Sequence, residues 1–193
     1  MAAHVKGIML KARFEYVRQF FGEKGEAALL ESLSPEARAM VGDGILVSTW
    51  YPIDQAIEIL VRIDETLGKG DFALSRKMGA HTARTALAGG VQQSFAKEHD
   101  PGFVLKMVPL IWQQYYDTGR IEAEILTDES AVSRTLDFEA PHQIICKGIQ
   151  GWIEAAVEIW GGKDVRVDET KCRTRGDNVC EFAIRWTLPE DPA

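Results

Sequence analysis

Behind Pro52, the residues Ile53, Ala56, Ile57, Leu60, Ile63 and Leu67 recur at steps of three and four, which lays one apolar stripe along a helix that Gly68-Lys69-Gly70 ends. Asp71 to about Phe95 carries Leu74, Met78, Thr82 and Thr85 along one side and reads as a second helix, weakened at Gly89-Gly90. Phe103 to Tyr116 is apolar nearly all round, so it predicts a helix buried on most sides or lining a cavity, with Asp100 as its cap and a kink at Pro109. Upstream, Phe14 to Leu33 reads as a helix broken near Gly22 and Gly25. Ser34-Pro35-Glu36 starts a short helix that Gly42-Asp43-Gly44 stops. Val5 to Arg13 has the β-branched and apolar content of a short strand.

After Gly119 the period changes to two. Arg120 to Thr127 alternates, with Ile121, Ala123 and Ile125 on one face and Glu122, Glu124 and Leu126 on the other. Ser133 to Phe138 reads as a second strand with Leu136 and Phe138 inward, paired to the first through Asp128-Glu129-Ser130. Pro141 opens a helix to Trp160 whose core face is Ile145, Ile149, Trp152, Ile153, Ala156, Val157 and Trp160, ended by Gly161-Gly162. Asp164 to Cys172 and Cys180 to Trp186 are strands around the turn Arg173 to Val179. Helices first, then a strand pair, a helix and a hairpin, make the class α+β: N-terminal helices plus a mostly antiparallel sheet of about four strands. No linker or repeat intervenes, so residues 1–188 read as one domain and 189–193 as a frayed tail.

The chain has 193 residues, 46% of them hydrophobic, enough to bury a core without disulfides. Lys and Arg number 22 against 29 Asp and Glu, a net charge of −7, which argues against nucleic acid or an anionic membrane surface as partner. The first residues hold no apolar signal core, and no run of about 18 apolar residues could span a membrane. A cytoplasmic location is expected.

Three cysteines are odd in number and too few for a disulfide scaffold. Cys172 and Cys180 flank Arg175-Gly176-Asp177-Asn178, a turn sequence. A hairpin centred near Gly176 sets them opposite each other, with Cβ atoms about 4.5–5.5 Å apart, which suits a disulfide or two ligands of one metal. Cys146 falls in the first turn of the preceding helix, where free N–H groups favour a thiolate. Three soft ligands select zinc, with Glu169 as candidate fourth and Lys171, Arg173 and Arg175 as charge-balancing neighbours. Glu169 and Cys172 are an odd number of positions apart, so on a regular strand they face opposite ways and meet only through a bulge. Asp168 has the right parity, and His142, one helical turn before Cys146, is another alternative. Small buried hydrophobic cysteines are the competing reading.

Glu169-Thr170-Lys171-Cys172, with Arg173 to Asn178, Val179, Cys180, Glu181 and Phe182, resembles the end of the 4-vinyl reductase domain family. That family includes phenol-sensing domains of bacterial transcription activators and is related in structure to subunits of the TRAPP tethering complex. The whole chain also resembles a paralogous group of myxobacterial proteins, a distant branch. The resemblance implies that ligand-binding fold and a zinc site made of Cys146, Glu169, Cys172 and Cys180, on a strand that bends. It covers about the last 50 residues; upstream only the order of elements agrees, including the apolar helix that ends at Trp112, Tyr115, Tyr116 and Gly119. The sensors' phenol-binding histidine and tryptophan have no clear counterpart, and no haem-site motif of the related nitric-oxide sensors is evident.

A pocket for a small apolar or aromatic molecule would be walled by Met107, Trp112, Tyr115, Tyr116, His81 and Trp152, although core or dimer interface is the ordinary use of such residues. His99 reads as surface. No nucleophile triad, paired-carboxylate spacing or phosphate loop nominates an enzyme. The expectation is a non-enzymatic sensory or ligand-binding module, homodimeric, with structural zinc. No DNA-binding segment accompanies it, so a protein partner is expected to receive the signal. The alternatives are an assembly adaptor like the TRAPP subunits, without a small ligand, and an accessory role in tetrapyrrole reduction.

Overall fold

A computed structural model describes residues 3–87 and 100–189. The N-terminal part is helical: β1 (His4–Lys6) runs into α1 (Gly7–Ser32), followed by α2 (Pro35–Gly42), β2 (Trp50–Pro52), α3 (Ile53–Leu67), α4 (Ala73–Leu87) and α5 (Pro101–Tyr115). The C-terminal part is β3 (Arg120–Thr127), β4 (Ser130–Leu136), α6 (Gln143–Ile159), β5 (Lys163–Lys171) and β6 (Cys180–Thr187). β3, β4, β6 and β5, in that spatial order, form one antiparallel sheet, and β1 pairs with β2 in a small second one. The chain is thus α+β with a four-stranded main sheet.

Where the apolar stripe is unbroken, element and pattern agree. α3 buries Ile53, Ala56, Leu60 and Ile63. The Ser34 hydroxyl caps α2, accepting from the Ala37 N–H at 3.1 Å, and itself donates to Glu58 of α3 at 2.9 Å. Gly22, at φ +67°, kinks α1 where a break was expected.

Four expectations need correction. Val5 to Arg13 is not a strand: after Lys6 the chain is helical, and Met9, Leu10, Arg13, Tyr16 and Val17 are among its buried residues. A charged residue on the buried stripe disguised the helical period. β4 starts at Ser130, and its inward row is Ala131, Ser133 and Thr135, so Leu136 lies on the other row. Phe138 is buried, but beyond the strand, after Asp137 takes a left-handed φ of +53°. α5 is not buried all round, because Phe103 and Leu110 are 39% and 55% exposed while Val104, Leu105, Val108 and Trp112 face the core. The Asp100 side chain makes no capping bond to α5. The expected helix end near Phe95, the Gly89-Gly90 bend, His99 and the tail after Pro189 lie outside the described residues.

α6 is packed on both sides. One side lies on β5 and β6, and the other crosses α4 with backbones in contact. A Cβ added to Gly79 would stand 2.0 Å from the Gly148 carbonyl oxygen, and one on Gly151 1.9 Å from that of Arg76. Ser75 donates to the Ile144 carbonyl at 2.8 Å, and Arg76 grips Glu154 through two hydrogen bonds of 3.0 Å. At the start of α4, the buried Asp64 carboxylate accepts from the N–H groups of Phe72 at 2.8 Å and Leu74 at 3.0 Å.

Gly79→Ala is expected to lose about 1–3 kcal/mol of stability, because one methyl group drives two backbones apart. Gly42→Ala, with nothing within 4 Å of its added Cβ, is expected to change stability by less than about 1 kcal/mol. Urea unfolding of the two variants beside the parent protein measures both.

Candidate functional site

Cys146 sits on the first turn of α6, where its N–H donates to the His142 carbonyl at 3.2 Å. The His142 ring is occupied as the helix cap, Nδ1 accepting from the Ile144 N–H at 3.1 Å. Cys172 and Cys180 close the terminal hairpin. Its turn is a short 3-10 segment, Arg173–Arg175, ended by Gly176 at φ +98°. Asp177 braces it by accepting from the Cys172 N–H at 2.7 Å. The three sulfurs are buried, free and mutually close: Cys146–Cys180 3.5 Å, Cys146–Cys172 3.9 Å and Cys172–Cys180 4.0 Å. They are close enough to bind one metal ion, and all lie within 4.8 Å of one another.

The strand register accounts for Glu169. Glu169 pairs with Phe182, but the next pair is Lys171 with Glu181, so Thr170 is an extra residue on β5. The bulge reverses the alternation and turns Glu169 and Cys172 to the same buried face as Phe182 and Cys180. The Glu169 side chain is only 6% exposed. Its Oε2 accepts from Arg175 Nη1 at 2.8 Å, while its Oε1 is buried and makes no hydrogen bond to a described residue. Asp168, opposite Ala183, is exposed. Lys171 pairs with Glu181 at 3.2 Å and Arg173 donates to the Phe138 carbonyl, so Arg175 is the basic neighbour that reaches this carboxylate.

The thiols do not titrate alike. The hydrogen bond donated by Cys146, helped by the Arg173 N–H, lowers Cys180 to about 6. Making that bond, together with burial, pushes Cys146 up, and burial pushes Cys172 up. One thiolate forms readily, and the cluster needs a cation to hold more.

A second feature lies against the other flank of α6, a cavity of about 80 Å³ between helices α1, α3, α4, α5 and α6 and strand β3. Trp112, Tyr115, Tyr116 and Trp152 line it; Met107 and His81 do not. His81 stands edge-on to Tyr16 and Phe20, ring centres 5.2 and 5.4 Å away. Arg13 lines the cavity too, its Nη1 donating to the Met78 carbonyl at 3.0 Å and the Thr82 hydroxyl at 2.6 Å. Sequence reasoning missed Arg13 because it took residues 5–13 for a strand. The available signal was an arginine at helical spacing from Met9, Leu10 and Val17. Trp152 Nε1 and Arg13 Nε are both buried donors without a partner among the described residues.

Residues 128–186 match the 4-vinyl reductase domain family. The matched segment runs from the β3–β4 turn to the end of the sheet and contains the thiol cluster, Glu169 and all of α6. It leaves out α1 and α5, and with them Arg13 and Tyr115. Over the whole chain the fold is that of H-NOX domains. An H-NOX protein from S. oneidensis in the Fe(II)NO ligation state is 16% identical with a TM-score of 0.71, covering 94% of this chain and 99% of that one. The unliganded Fe(II) H-NOX protein from K. algicida is 12% identical with a TM-score of 0.70, covering 97% and 100%. No curated protein matches in sequence. No described helix is long and apolar enough to cross a membrane.

Asp177→Ala removes the carboxylate that holds the turn of the terminal hairpin. It is expected to cost about 0.5–2 kcal/mol, as loss of a capping side chain does, without changing secondary structure. Thermal unfolding followed by circular dichroism checks it.

Proposed function

We propose that the protein is a ligand-binding sensory module with a small-molecule pocket and a structural zinc site. The observation that carries this reading is the double duty of α6. Its Ile145, Ile149 and Trp152 line the cavity, and on the same helix Cys146 joins the two hairpin cysteines. A molecule entering the cavity presses on the helix that the metal ties to β5 and β6.

Zinc bound tetrahedrally to thiolates at about 2.3 Å sets its sulfurs about 3.8 Å apart. The observed separations of 3.5–4.0 Å suit that arrangement. The orphaned Glu169 Oε1 suits the fourth position, with Arg175 orienting the carboxylate from Oε2. Zinc would supply the positive charge that lets Cys146 and Cys172 ionise beside Cys180. In a cytoplasmic setting the thiols stay reduced.

The described residues do not suit haem, the group that the H-NOX fold brings to mind. The cavity, about 80 Å³, has room for a small molecule and none for a macrocycle. Among the described residues no histidine or cysteine lines it, and burial pushes Tyr116 up to about 12, which disfavours a tyrosinate ligand.

Metal analysis of the purified chain is expected to find about one zinc per molecule, lost in Cys146→Ser together with several kcal/mol of stability. Absence of metal, with Cys146→Ser leaving the melting temperature unchanged, removes the zinc site. Native mass spectrometry of protein from its own source separates the pocket reading from the adaptor alternative. The first predicts a bound small molecule, the second protein partners alone.

A further inference from the structure

We infer that the molecule the cavity takes is a small organic monocarboxylate, held by Arg13. The inference rests on the ligand-binding reading above and names the chemical class of that ligand.

Arg13 is 8% exposed, and a guanidinium stays protonated at any physiological pH. Buried charges are ordinarily paired, because leaving water without a counter-charge is costly. Arg13 has no such pair: among the described residues its hydrogen bonds go only to a carbonyl and a hydroxyl, both from Nη1. The ionisable groups whose charge it feels are Tyr115 and Tyr116, and burial raises the pKa of both, Tyr116 to about 12, so both are neutral at pH 7.

The unused edge of the guanidinium is informative. Nε is buried without a partner, and Nη2 makes no hydrogen bond to a described residue. Nε–H and Nη2–H together form a planar two-donor fork, which matches the two oxygens of a carboxylate. Trp152, which also lines the cavity, has a further donor, Nε1, without a partner among the described residues. Three donors without acceptors, in a cavity otherwise walled by Val108, Ile111, Ile121 and Ile149, describe a molecule with one anionic, acceptor-rich end and an apolar body. No second cation lines the cavity among the described residues, which matches a single negative charge rather than a phosphate dianion. The volume limits the body to a short aliphatic chain or one ring.

The test is calorimetric titration of the full chain with butyrate, isovalerate and benzoate, each beside its neutral amide, together with toluene, phenol and chloride. At least one acid is expected to bind ten-fold or more tightly than its amide. Arg13→Met should erase that preference while the unliganded melting temperature holds or rises, since the Met78 carbonyl keeps the Thr82 hydroxyl at 2.9 Å. Arg13→Lys retains charge without the fork and should bind the acid more weakly than the parent, which keeps the test open if the methionine variant fails to fold. Amides equal to acids, acid binding untouched in either variant, or chloride saturating the site with no gain from an organic body would each overturn the inference. Toluene or phenol binding without any acid would overturn it and leave the pocket standing; no binding by any probe would bring down both.

Discussion

The contact between α4 and α6 at Gly79 and Gly151 sets the position of everything that matters in this protein. The two helices meet backbone to backbone, closer than any side chain permits. That closeness leaves α6 no freedom to slide. Its first turn must end over the terminal hairpin, where Cys146 finds Cys172 and Cys180, and its flank must face α5 across the cavity. Ser75 and Arg76, on the same stretch of α4, add hydrogen bonds to the Ile144 carbonyl and to Glu154 that resist rotation as well as translation. A packing constraint between two helices therefore determines the geometry of a thiol cluster to which α4 contributes no atom.

The two features along α6 share an electrostatic logic. Around the cysteines, two thiols that burial raises sit beside a third that ionises readily and a buried carboxylate, an environment short of positive charge. Around the cavity, a guanidinium without a counter-ion sits beside neutral tyrosines, an environment short of negative charge. Each is out of balance by itself, in opposite senses, with one helix between them. Burial of either imbalance without a partner opposes folding, so each is better understood as half of a complex than as a finished core.

Local rules read well wherever side chains had a single task. The stripe of α3 and the Ser34 cap of α2 were legible because burial or capping alone chose those residues, and the kink at Gly22 because only backbone geometry did. The cysteine hairpin was legible from its turn residues. What misled was polarity in buried places. Arg13 in the core face of α1 hid a helix inside an apparent strand, and Ser133 and Thr135 on the inward row of β4 shifted the reading of that strand by one residue. The β1–β2 pair was invisible because three-residue strands carry too little alternation to detect. The exposed Phe103 and Leu110 show the converse: apolar content all round α5 did not mean burial all round.

The extra residue at Thr170 makes the spacing of Glu169 and Cys172 a sign of backbone shape. In an undisturbed strand, two side chains three positions apart belong to opposite worlds, one wet and one dry. A carboxylate and a thiol that both turn inward at that interval can do so only where the ladder slips by one. The interval E-x-x-C inside an extended segment thus encodes a break in pleating in the order of its residues alone. Without Thr170 the carboxylate and the thiol would stand two positions apart, an interval at which a regular strand already sets both on one face, so the bulge is what the third position costs.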